Sequence, residues 1–411
     1  PIVATLIALA FVIFLEKKIR ISTIFLISFL ISVAYMTNAW DGLIYLGLFT
    51  NVFFFSEFIK NGHKDLLKKF IDSAIHCAKY LLIIVITFFA FTFVFSHNFD
   101  PFASGIGLNC SPQFLISVEK LGPFIFEKDY CQHTPWWQFL ILYGFFIYML
   151  TSFIAFLKNK KILISDYFVL IISFFSLLLI IIPEFFYLKD IYTGHFRANT
   201  MFKLSYQAFI MLSFGSIYIL IRIIANKKGL RTKLSKIIFI FFIFGGLVLL
   251  FLVSIYPYFA VPSGYGDLKK YKGLEGTLYL KETKASDYNA INWINKNIKN
   301  QPVIIEAQGD SYTDFARISS NTGLPTVLGW TVHEWLWRGS YDVPAERFDD
   351  IKNIYESKDS GLVRKTIKKY NISLIYIGKM EREKYKVSEE KFAEVGNLIY
   401  SKDETRIYKI R

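Results

Sequence analysis

The sequence predicts a polytopic α-helical membrane protein of about eight transmembrane helices that carries a C-terminal α/β domain outside the cytoplasm. Three observations predict it. Eight long apolar runs follow one another over 1–256; lysine and arginine crowd the loops on one side only; and the last 155 residues change to short alternating elements. Hydrophobic residues make up 54% of the 411 and aromatics 18%.

The runs read as 2–15, 21–37, 42–59, 75–95, 137–157, 162–182, 201–224 and 237–256. Most supply the ~17–25 apolar residues that a hydrocarbon layer of ~30 Å requires. Lipid offers the backbone no hydrogen-bond partner, so each run should be a helix. A soluble helical protein does not carry so many uncharged runs in succession.

Orientation follows from the loops. Lys17, Lys18, Arg20, Lys60, Lys64, Lys68, Lys69, Lys158, Lys160, Lys161, Arg222, Lys227, Lys228, Arg231, Lys233 and Lys236 fall on one side. Only Lys120, Lys128, Lys189, Arg197 and Lys203 fall on the other. The crowded side is therefore cytoplasmic. Loops 38–41, 96–136 and 183–200, and everything after Tyr256, lie outside a cytoplasmic membrane. Residues 1–256 hold 22 basic and 12 acidic side chains, so +10 of the net +14 sits in this half. That charge faces lipid headgroups. The tail carries only +4, which excludes a nucleic-acid face.

The chain opens on Pro1 within an apolar run, without a basic leader or cleavage site. It reads as the C-terminal portion of a longer membrane protein, so catalytic residues are expected to lie upstream as well. Cys110 and Cys131 share the loop 96–136, on the side where disulfides persist, and are expected to pair. Cys77 lies in a span as a packing residue.

Beyond the spans, Pro257, Pro262, Gly264 and Gly266 are expected to end the last helix and open a linker, 257–285. The domain 286–411 then begins with a helix capped by Ser286 or Asp287 and running to Asn300. Strands are expected at 302–307, 325–330 and 372–378, helices at 344–356, 360–370 and 380–386, and a final hairpin turning at 401–405. Strands alternating with helices give an α/β layer.

Several familiar signatures are absent or incomplete. The stretch His333-Glu-Trp-Leu-Trp337 lacks the second histidine that a helical zinc site needs. There is no phosphate-binding P-loop, no dinucleotide glycine pattern and no nucleophile elbow. Asn371-Ile-Ser is a short glycosylation-like pattern at a strand start. Asp41, in TNAWDGLIY (37–45), sits at the outer end of a span, where a carboxylate is costly and suits general-base work. Its plain alternative is a carboxylate at a helix N-terminus. Lys189, His195, Arg197 and Lys203 gather in YLKDIYTGHFRANTMFKLSYQ (187–207) and suit the phosphate of a lipid carrier. The alternative is basic side chains reaching for headgroups. The segment 306–339 places Glu306, Asp310, Tyr312, Arg317, Trp330, His333, Glu334, Trp337 and Arg338 together. Aromatics among polar groups suit a sugar or other acceptor, or else fill a small core.

The segments RISSNTGLPTVLGWTVHEWLWRG, GHFRANTMFKLSYQAFIML and TNAWDGLIY resemble the DUF2298 (Chlor_Arch_YYY) family of bacterial and archaeal membrane proteins. The resemblance covers nearly the whole chain. It implies a GT-C-like fold and a glycosyltransferase that moves a hexose from a polyprenyl-phosphate sugar to a glycan or protein acceptor. In such enzymes the acting carboxylate lies in the first outer loop, which here would precede Pro1, so Asp41 is the carboxylate present in the right kind of place. Arg197 and Lys203 would hold the leaving phosphate. The chemistry leaves room for Mg or Mn. Two readings from other classes stand beside it: a lipid-carrier or glycan transporter, which predicts broken spans near the midplane, and an envelope scaffold.

Overall fold

A computed structural model describes residues 1–16, 18–99, 103–158, 160–190, 193–226, 233–266, 273–338 and 340–411. Lys17, Lys227, Lys228 and Arg231 of the basic loops lie outside the described residues, as does part of the linker. The chain divides into two compact units that meet in sequence at Gly264 and Tyr265.

The first unit is a helical bundle. Its helices are α1 (Ile2–Leu15), α2 (Ile21–Thr37), α3 (Ala39–Lys60), α4 (Leu66–Asn98), the short α5 (Gln113–Ile116), α6 (Trp136–Leu157), α7 (Ile164–Phe185), α8 (Ala198–Ala225) and α9 (Lys233–Tyr265). Leaving α5 aside, each apolar run of the sequence has its helix. Six of these are long and apolar enough to cross a membrane. The other two, α1 and α2, have 14 and 17 residues, about 21 and 25 Å at 1.5 Å per residue, short of a ~30 Å layer.

α3 packs against α1, α2, α4, α7 and α8. Tyr45, Leu48, Phe49, Val52 and Phe53 on it are wholly buried. Polar bonds fix the neighbours where apolar contact alone gives little preference in lipid. Ser28 donates to the Ile84 carbonyl at 3.0 Å, joining α2 to α4. Lys60 donates to the carbonyls of Ile13 and Glu16 at 2.8 and 2.6 Å, which satisfies the C-terminal end of α1.

α9 corrects one expectation. Pro257 and Pro262 do not end it; the helix runs through both to Tyr265. A proline removes one backbone bond, but a helix remains the form that satisfies all the others in an apolar surrounding.

The long loop after α4 is also more regular than its sequence suggests. β1 (Gly105–Leu108), β2 (Lys120–Leu121), β3 (Phe124–Ile125) and β4 (Phe186–Lys189) form a four-stranded sheet in the order β2-β3-β1-β4. A side chain at position 107 would place its Cβ 2.1 Å from the Tyr187 ring, so only glycine fits there. Cys110 and Cys131 form a disulfide, as expected.

The second unit is an α/β layer. It contains α10 (Leu278–Thr283), α11 (Ala285–Asn297), β5 (Val303–Ile305), α12 (Arg317–Thr322), α13 (Thr331–Arg338), α14 (Asp342–Glu356), α15 (Ser360–Tyr370), β6 (Ile372–Ile377), α16 (Lys379–Lys384), α17 (Glu390–Val395), β7 (Gly396–Lys402) and β8 (Thr405–Ile410). The sheet order is β5-β6-β8-β7, with β5 parallel to β6 and the other pairs antiparallel. Leu374 and Tyr376 point into one core with Ile291, Ile294 and Ile318; Ile375 and Ile377 point into another with Ile351, Tyr355, Val363 and Phe392. β6 is therefore covered on both faces, and its sequence is a continuous apolar run for that reason.

Two expectations in this unit change. Residues 325–330 form no strand; isolated bridges tie Thr326 to Ile304 and Trp330 to Gly309. α11 begins at Ala285 with Lys284 at its cap position, so neither Ser286 nor Asp287 caps it; Asp287 lies in the first turn with its carboxylate bound to Arg317.

Candidate functional site

Asp41 lies in the first turn of α3 and is 8% exposed. Asn38 donates to its Oδ1 at 3.0 Å and Gln207, on α8, at 2.9 Å. Tyr45 donates to the Gln207 carbonyl oxygen at 2.6 Å and so sets which way that amide faces. Both bonds go to Oδ1; among the described residues none is given to Oδ2. Lys203 lies one turn before Gln207 on α8, the helix whose amide donates to Asp41. Among the described residues no hydrogen bond or ion pair holds Lys203; its ammonium lies 5.6 Å from the Phe202 ring centre. Phe202, Tyr206 and Phe209 around it are large and exposed.

Arg197, at the start of α8, does something different from what its sequence suggests. It is 3% exposed. Its Nε donates to the Pro183 carbonyl at 2.8 Å, Nη1 to the Gln132 carbonyl, and Nη2 to Glu184 at 2.5 Å. Glu184 also accepts from the Thr134 backbone at 2.9 Å and from its hydroxyl at 2.6 Å. The guanidinium thus ties α7, α8 and the disulfide loop together, and it presents no open fork to a phosphate. Lys189 is likewise engaged, bonded to Glu127 at 2.5 Å. His195 is exposed on a single 3-10 turn, Thr193–His195. Arg197 and Lys189 are thus engaged elsewhere, while Lys203 lies on the helix that carries Gln207 and, among the described residues, in no ion pair.

The residues of 306–339 separate into a core and a surface. Glu306 is fully buried and accepts from the backbone of Ile318 at 2.9 Å and of Ser319 at 2.7 Å. Burial pushes its carboxyl up, and Arg317 with the two amides pulls it partly back. Arg317, 3% exposed, donates to Asp287 at 2.5 Å and to Glu381 at 3.1 Å. Desolvation pulls its guanidinium down, but Glu381 and Asp287 more than offset this and hold it above its ordinary value. Tyr376 donates a further bond to Asp287 at 2.5 Å. Glu306 and Arg317 are therefore a structural network, contrary to the expectation that they face an acceptor. Neither reaches a surface, and every charge is spent inside.

Asp310, Tyr312, Trp330, His333, Glu334 and Arg338 remain outside the core. Trp330, Tyr312 and His333 lie mutually within 5.2–5.6 Å between ring centres. Arg338 pairs with Glu334 at 2.6 Å. The side chain of Trp337 lies outside the described residues.

Reading the sequence missed Asn38, Tyr45, Gln207 and Glu184. Gln207 leaves a faint signal, a lone amide within an apolar span. It also missed the clamp at the other end of α7 and α8, where Asp166, wholly buried, accepts from Tyr218 at 2.7 Å and from Arg222 at 3.1 Å.

Among the described residues no set of side chains fits a resident divalent cation. Among them, one group of three His, Cys, Asp or Glu side chains has ligand atoms close enough for a metal: Cys110, Cys131 and His133. Its two sulfurs are joined to each other.

The profile of DUF2298, an "uncharacterized membrane protein" family, matches residues 1–168 and 156–212, more than half of the chain, and the chain belongs to that family. No curated protein matches. Among solved structures, the apo oligosaccharyltransferase of Archaeoglobus fulgidus is similar at 12% identity with a TM-score of 0.27. The alignment covers 92% of this chain and 45% of that one, so the chain spans less than half of that protein's length. A TM-score of this size does not establish a shared fold.

Proposed function

We propose that this DUF2298 protein is part of a membrane glycosyltransferase that moves a hexose from a polyprenyl-phosphate carrier to a hydroxyl-bearing glycan or protein acceptor. The observation that carries the reading is a carboxylate fixed by two amides, with a lysine on the helix that supplies one of them. Asn38 and Gln207 orient Asp41 through Oδ1, and Lys203 stands one turn away on α8. In the proposed step, Asp41 takes the proton of the acceptor hydroxyl through Oδ2. The acceptor oxygen forms a bond to the sugar C1 as the C1–O bond to phosphate breaks. The polyprenyl phosphate leaves with the bonding pair, and Lys203 stabilises that growing charge. The exposed Phe202, Tyr206 and Phe209 offer an apolar surface for a lipid chain beside it. Arg197 acts by positioning α8 and stays clear of the ligand.

The test is binding of a polyprenyl-phosphate hexose to the protein in nanodiscs. Lys203→Ala is expected to weaken it about tenfold, the loss of one charge-assisted contact. Lys128→Ala, in an exposed loop position, should leave it unchanged. Equal binding by the wild type and Lys203→Ala overturns the lysine's role.

The same reading places the Asp41 end of the bundle and the second unit on the extracytoplasmic side of the cytoplasmic membrane. The asymmetry of lysine and arginine supports this, and so does the disulfide, which persists in oxidising compartments. A membrane-impermeant maleimide applied to intact cells should label Cys110 and Cys131 only after an added reductant. Labelling that needs cell lysis instead would reverse the orientation.

A further inference from the structure

We infer that the second unit carries a carbohydrate-binding platform of its own, built from Tyr312, Trp330 and His333. It stands on a different set of residues from Asp41 and Lys203 and does not depend on the transfer reading.

The three rings form a closed group. Centroids lie 5.6 Å apart for Tyr312 and Trp330, 5.2 Å for Tyr312 and His333, and 5.3 Å for Trp330 and His333. This is no core: Tyr312 is 79% exposed. Its position is nevertheless held. Its backbone has φ +61°, a left-handed conformation that costs a bulky residue energy and persists where the surroundings impose it. The indole of Trp330 donates to the Phe315 carbonyl at 2.9 Å, which fixes the ring plane. Ser311 and His333 Nδ1 lie 2.6 Å apart, which fixes the imidazole. Three aromatic faces are thus oriented in advance beside open solvent, at no benefit to the core.

A cleft of about 610 Å³ opens beside them, and its walls include Ser319, Ser320, Trp330, His333 and Glu334. Hydroxyls and a carboxylate suit the O–H donors of a sugar, while an indole face suits the C–H face of a pyranose. The local charge argues against an anionic ligand. The charged side chain that lines the cleft is the Glu334 carboxylate, and Arg338 on α13 is already paired with it. The ligand class is therefore a neutral or N-acetylated hexopyranose within a glycan.

The probes are oligosaccharides of glucose, galactose, mannose and N-acetylglucosamine, titrated onto the full chain in nanodiscs by calorimetry and tryptophan emission. At least one series should bind. Tyr312→Ala should weaken that binding about tenfold, and Tyr312→Phe should restore it, since the ring and not the hydroxyl stacks. Among the described residues the Tyr312 side chain makes no hydrogen bond, so both variants should stay folded. Absence of binding across all four series, or binding that Tyr312→Ala leaves unchanged, overturns the platform. Brominated phospholipids provide the competing outcome. If they quench emission that Trp330→Phe removes, the rings are a membrane anchor and the proposal fails. Because Lys203→Ala is read on the carrier and Tyr312→Ala on free glycans, either proposal can fail alone.

Discussion

Asp41→Asn should leave carrier binding intact and lower sugar transfer by about 10²–10⁴-fold, the range for loss of a positioned general base. Asparagine keeps an oxygen for the Asn38 and Gln207 amides, so the turn at the start of α3 is retained. What it loses is the capacity to take a proton. Turnover of a polyprenyl-phosphate hexose by purified protein in nanodiscs measures this. Gln207→Leu should act in the same direction but less strongly, because the carboxylate then survives without its orienting partner. Full turnover by Asp41→Asn would remove Asp41 from the reaction.

Arg317→Met should destabilise the second unit by about 3–5 kcal/mol, the usual cost of stranding buried charges. The substitution leaves Asp287 and Glu381, 4% and 0% exposed, without their cation. Hydrogen exchange should show early loss of protection in β5 and β6, whose flanking segments the network joins. The combined change Arg317→Met, Asp287→Asn, Glu381→Gln should recover much of the loss, since it removes the charges along with the cation. Arg338→Ala, at an exposed pair, should cost no more than about 0.5 kcal/mol. A fully stable Arg317→Met protein would mean that the network contributes no net stability.

The spans were legible because lipid leaves the backbone one economical choice, so an apolar run of sufficient length has to be a helix. The alternation after residue 286 was legible for a related reason: β6 is covered on both faces and therefore reads as Ile-Ser-Leu-Ile-Tyr-Ile. The small sheet β1–β4 was not, since its strands have two to four residues and include glycines. Nor were the partners of the site. Asp41 and Gln207 are 166 residues apart, and nothing local in either segment announces the other. The arginines misled for a physical reason. Arg197 and Arg317 belong to a residue type that is mostly exposed, and in polar surroundings they read as ligand contacts. Burial turned both into internal ties. Asp287 misled similarly: a carboxylate near a helix start reads as a cap until a distant arginine claims it.

The two ends of α7 and α8 are secured by separate ion pairs, Glu184 with Arg197 at one end and Asp166 with Arg222 at the other. Mechanically, the two helices are a beam riveted at both tips. A beam of that kind can tilt or slide as one piece, but its halves cannot splay. Lys203 and Gln207 ride on it, so their spacing is insulated from whatever bending a guest molecule in the bundle would impose. Room for such a guest has to come from elements that bear no rivets of this sort, and α9, the lipid-exposed helix that meets α6 through Gly245 and Tyr148, is the freest of them. Lys203 and Gln207 are mounted on the stiff member, Asp41 on α3 is tied to it through Gln207, and compliance is left to the periphery.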